Sequence, residues 1–303
     1  MTQVVLPTAA RASVTIAGPP ATPVHARLRL YFVFAYAFTW LCWGLVALST
    51  RQIFGLPIPA DLLMLLGGLG PLVAALGIVS FESGWPGMRA LLSQLLRWRV
   101  SPIWYAVALL GWGALDGVLV LLNVLAGGGV PAAPPLSSWV SLPAVFLMTA
   151  LLRGGVDEEV GWRGVALPRL QARFGALPAS LLLGLVWAGW HLPLWFIPGQ
   201  VEQSFPMFAI SALMLSVVLA WVYNSTGGSL LIVVLAHSAN NVTFKLFGQA
   251  VSALPADAVK LSPLISDVIL PLAVVLAVAL LTDPRTLTRT AAARWTQAAA
   301  GRV

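Results

Sequence analysis

Long apolar runs dominate the chain, and short polar stretches punctuate them. A membrane-spanning helix needs roughly 20 mostly apolar residues. Segments of about that length fall at 30–49, 62–81, 103–125, from 142 into an acidic stretch, and at 177–197, 206–223, 230–247 and 263–281. The pattern predicts an all-α, multi-pass transmembrane helical bundle of about eight spanning helices. Between the second and third runs, Met88, Leu91, Leu92, Leu95 and Leu96 recur at helical spacing beside Arg89, Arg97 and Arg99. That arrangement suits a helix lying in the interface plane. Glycines at 127–129 with Pro131, Pro134 and Pro135 mark a loop. Residues 1–29, rich in Ala, Pro and Thr, read as a flexible tail without a secretory signal. Residues 30–282 form the transmembrane domain, and the polar stretch 283–303 reads as a second tail.

Composition supports lipid as the solvent. The chain is 59% hydrophobic and only 9% charged, whereas about a quarter of an average soluble domain is charged. A soluble fold would leave most of its surface apolar. The net charge of +7 comes largely from arginines lying between and outside the apolar runs. There they set membrane orientation and argue against nucleic acid as a partner. With eight spans, Arg11, Arg27, Arg29, Arg89, Arg97, Arg99, Arg169, Arg173, Arg285, Arg289, Arg294 and Arg302 share one side, and Arg51 and Lys260 the other. The positive-inside rule then places both termini in the cytoplasm of a cell membrane. The single cysteine, Cys42, excludes a disulfide framework within the chain.

The candidate chemistry lies in three runs. The fourth holds Arg153, Asp157, Glu158, Glu159 and Arg163. Charges at membrane depth cost several kilocalories unless paired or hydrated, so they mark function by default. Helical spacing pairs Arg153 with Asp157 and Glu159 with Arg163. Glu158 is left over, because its neighbours four residues away are Gly154 and Trp162. A helix-packing network made of all five charges is the competing explanation. The fifth run contributes His191 and the seventh His237, with Asn241 one turn later on the same face. At about 1.5 Å per residue, His191 lies about 21 Å above Leu177, His237 about 10 Å and Asn241 about 16 Å above Leu230, and Glu158 about 18 Å above Leu170. One polar site could hold all four.

Glu158-Glu159-x-x-x-Arg163, an aromatic-x-x-x-His ending at His191, and His237-x-x-x-Asn241 together resemble the CPBP family. That family comprises the type II CAAX prenyl endopeptidases and related bacteriocin-processing and immunity proteins, also called Abi-like. The resemblance covers about 142–247, with Trp187 where members usually carry Phe. It implies an intramembrane endopeptidase. Glu158 and His191 would activate water, and His237 and Asn241 would form an oxyanion hole. Glu159 and Arg163 would fix the helix and orient Glu158. No cofactor is required on this reading; the alternative is a zinc ion on Glu158, His191 and His237.

Other functions remain open beside it. One is a non-catalytic membrane scaffold or immunity protein, and another a proton-coupled transporter, which the absence of an evident repeat disfavours. The implied partners are membrane lipid and a membrane-associated or lipidated peptide substrate. The excess of Arg over Lys and the many Ala suggest a GC-rich prokaryotic gene and a substrate without a prenyl group.

Overall fold

The computed structural model describes residues 24–55, 58–201, 203–262 and 265–288. The sequence readings for 1–23 and 289–303 lie outside the described residues. Within them the chain is a helical bundle, α1 (Val24–Thr50), α2 (Ala60–Gly68), α3 (Gly70–Ser93), α4 (Pro102–Leu125), α5 (Leu136–Leu152), α6 (Val156–Gly161), α7 (Leu167–Phe174), α8 (Ala176–Trp190), α9 (Phe205–Ser225), α10 (Leu230–Ser252) and α11 (Leu270–Leu281). The extended backbone described here amounts to an isolated bridge between Asp283 and Thr288.

All eight predicted runs are helical, but they do not all cross in the same way. Six helical segments are long and apolar enough to span a bilayer. The second run is a broken pair, α2 and α3, bent by 45°. The eighth ends in the 12-residue helix α11. The segment at 86–100 begins as a second helix within the α3 range. It continues α3 beyond a kink at Gly84 (φ 57°, ψ −153°) and ends in a 3-10 turn, Gln94–Leu96. Two features allow the kink: Gly84 adopts a positive φ at no Cβ cost, and Pro86 has no N–H to give the carbonyl four residues back.

The largest departure is in the fourth run. Leu136–Phe174 is a 39-residue stretch, or about 58 Å of helix against about 30 Å of hydrocarbon. It is interrupted where α5 ends. Arg153 has φ −144° and ψ 57°, and Gly154 has φ 107°, a left-handed conformation that favours glycine. A π-helical turn, Trp162–Ala166, then joins α6 to α7. Pro168 follows it and removes a donor from the regular ladder, which the wider turn accommodates.

The core forms where α1, α3, α6, α8, α9 and α10 pack together. Small residues let the backbones close up. Gly161 faces the Pro71 carbonyl and the Tyr31 hydroxyl, with no room for a Cβ. One end of the bundle gathers basic loops. Arg97 donates to the Gly227 carbonyl at 2.7 Å, Arg169 pairs with Glu82 at 2.6 Å, and the Arg285 carbonyl accepts from Ala176 N–H at 2.9 Å. At the far end the Arg51 guanidinium lies 5.5 Å from the Phe196 ring, and Lys260 N–H donates to Asn123 at 2.7 Å.

Candidate active site

Two adjacent glycines interrupt the helix, and the site is built around that interruption. Asp157 does not pair with Arg153. Both of its carboxylate oxygens accept from the Gly154 N–H, at 3.0 and 3.2 Å, while the Arg153 side chain is exposed. The spacing argument fails here because it assumes one continuous helix. Asp157 instead caps a left-handed residue. The exposed Arg153 carbonyl accepts from Asn241 Nδ2 at 3.0 Å. A Cβ added to Gly154 would lie 2.6 Å from Asn241 Nδ2 and 2.9 Å from His237 Nε2. The break therefore sits directly against His237 and Asn241 of α10.

Glu158, Glu159 and Asp157 occupy the first turn of α6, where the helix dipole favours negative charge. Glu158 is not free of partners, as charge pairing alone suggested. Its Oε2 accepts from the Trp187 indole N–H at 2.5 Å and from the Trp162 indole N–H at 3.3 Å. Trp162 is four residues away, so helical spacing did place a partner there, but a neutral one. Oε1 receives no hydrogen bond from the described residues. The side chain retains 6% exposure, enough to leave this oxygen at the edge of the buried cluster.

Glu159 is fully enclosed and works on a different neighbour. Its Oε1 pairs with Arg163 at 2.8 Å and contacts His237 Nδ1 at 2.6 Å. The pairing of Glu159 with Arg163 is as the spacing predicted. The structure places that pair beneath His237 on α10, where sequence spacing could not reach. With Nδ1 turned to the carboxylate, Nε2 of His237 faces Gly154 and Asn241. Asn241 accepts from Asn240 at 3.2 Å and donates one amide hydrogen to Arg153, leaving its second hydrogen available.

His191 caps α8, and its Nδ1 lies 2.9 Å from the Trp187 carbonyl. A carbonyl can only accept, so Nδ1 carries the hydrogen and Nε2 presents a lone pair. The His191 ring lies edge-on to Trp187 at 5.7 Å, and the His237 ring does so at 5.2 Å. Glu158, His191 and His237 thus converge on Trp187 from α6, α8 and α10. Trp162, Trp187 and Gly154 were not among the expected site residues. The signals for them were present: an aromatic donor at helical spacing from Glu158, a second within the His191 motif, and a double glycine ahead of the acids.

Among the described residues no group of three or more His, Cys, Asp or Glu is arranged to hold a metal ion. Glu158 Oε2 is engaged by indoles and His237 Nδ1 by Glu159.

Residues 139–243 match the family described as type II CAAX prenyl endopeptidase Rce1-like. Over 113 residues the chain is 29% identical to a protein of Methanococcus maripaludis named CAAX prenyl protease 2. That stretch is 35% of this chain and 41% of the relative, less than half of either protein.

Proposed function

Taking the chain as a member of the CPBP family of type II CAAX prenyl endopeptidases, we propose that it is an intramembrane endopeptidase acting on membrane-associated peptide chains. The observation that carries this reading is the convergence of Glu158, His191 and His237 on one tryptophan, beside a helix break that exposes backbone. Non-helical backbone at membrane depth is tolerated where it lines a cavity or lies within protein.

On this reading the hydrolysis proceeds without a metal. Water sits between the Glu158 Oε1 carboxylate and the free lone pair of His191 Nε2. Glu158 takes a proton as the water oxygen attacks the scissile carbonyl carbon, and the C=O electron pair moves onto oxygen. His237 Nε2–H and the spare Asn241 amide hydrogen face that oxyanion. Preorganised donors of this kind contribute on the order of 3 kcal/mol each. Donation from both His237 nitrogens requires a hydrogen on each, and the Nδ1 hydrogen meets the Glu159 carboxylate. Collapse of the tetrahedral intermediate re-forms the carbonyl and breaks the C–N bond. The leaving nitrogen takes the proton held by Glu158, so one water is consumed and the base is regenerated. Asp157 holds the break, and Arg163 anchors Glu159 by its ion pair.

Both termini lie in the cytoplasm on this reading, and the substrate reaches the site laterally from lipid. The test is comparative proteomics of membrane fractions from cells carrying the wild type or Glu158→Gln, with and without a chelator. General-base removal should lower cleavage by roughly 10²–10⁴-fold, while chelation leaves it unchanged. A product that persists in the Gln variant overturns the peptidase assignment. A product lost on chelation overturns the metal-free mechanism.

A further inference from the structure

Among the described residues Glu158 has no cationic partner. Arg163, five residues on, gives its ion pair to Glu159. Orientation of the Glu158 carboxylate therefore rests on the two indole N–H groups at Oε2, of which Trp187 is the closer. An indole carries one donor, on a rigid bicycle with two torsions. At Trp187 those torsions are restrained on several sides. The Arg163 guanidinium lies 4.9 Å from the ring centroid, and both imidazoles pack against it. The side chain is buried. The same residue's carbonyl fixes the His191 tautomer.

Resting on the peptidase reading above, we infer that Trp187 is a positioning residue: its N–H pins Oε2 of Glu158 and so dedicates Oε1 to the water. Trp187 thereby meets the base, both imidazoles and the Arg163 guanidinium. Its ring fills space that many apolar residues could fill, but only the N–H supplies direction. Trp162 plays the same part more weakly, from 3.3 Å.

The test separates ring from hydrogen bond. Trp187→Phe and incorporation of β-(3-benzothienyl)alanine at 187, which keeps the bicyclic shape and lacks the N–H, are compared with the wild type in proteoliposomes on a peptide that the wild type cleaves. Hydrogen bonds to charged groups predict a fall in kcat of roughly 10- to 100-fold for either replacement. KM stays within about 2-fold, because the loss falls on the reacting geometry and not on substrate binding. Trp162→Phe gives a smaller fall in kcat. The melting temperature of the benzothienyl protein matches the wild type, which separates the effect from folding. Wild-type kcat in the benzothienyl protein, or a change confined to KM, overturns the role of the N–H. Glu158→Gln runs in parallel. If it is inactive while the benzothienyl protein is fully active, only the Trp187 inference fails; if it cleaves normally, the peptidase reading itself fails.

Discussion

Helices α4 and α10 pack side by side, and both are apolar enough to be spans, yet they do different work. Only 11% of the most apolar stretch of α4 is buried, against 50% for α10. Each carries a polar group at membrane depth. Asp116 on α4 is half-buried and has no hydrogen bond or ion pair with the described residues. His237 on α10 is enclosed and held by Glu159, which Arg163 holds in turn. A charge in a spanning helix is therefore a weak sign of a site. A polar group whose partners arrive from other helices is a strong one, because burial without those partners would be costly.

The contrast can be tested from its strongest point downwards. Arg163→Met leaves Glu159 buried without its cation, and should lower stability by about 3–5 kcal/mol, read as a fall in melting temperature in detergent. A melting curve like the wild type would mean that Glu159 is neutral or reaches water. Asn241→Ala removes one oxyanion donor, and should lower kcat roughly 10²–10³-fold with the fold intact. Unchanged turnover would exclude Asn241 from the chemistry. Gly154→Ala forces a side chain into left-handed backbone and towards His237, at about 1–3 kcal/mol in stability. Its activity should fall together with stability, and full activity would show that the break can move. Asp116→Asn should change stability by about 0.5 kcal/mol or less and leave cleavage unaltered. A large loss there would erase the distinction between the two helices.

Part of the candidate site's geometry was legible in the sequence. Glu159 and Arg163 are four residues apart on one helix, so their pairing needs no tertiary information. Depth along three helices allowed Glu158, His191, His237 and Asn241 to meet. The same reasoning failed for Arg153 and Asp157, because the double glycine ends the helix between them. It also looked for ionic partners of Glu158 and so passed over Trp162, a neutral donor at the right spacing.

Sequence by itself determined the helices and their apolar character, since hydropathy is a property of consecutive residues. Tertiary structure decided which helices are broken, that Glu159 serves His237, and that Trp187 faces Glu158. Those contacts join residues 29 and 78 positions apart. No local periodicity encodes them, because they depend on how separate helices rotate and pack, and on small residues such as Gly161 that let them approach.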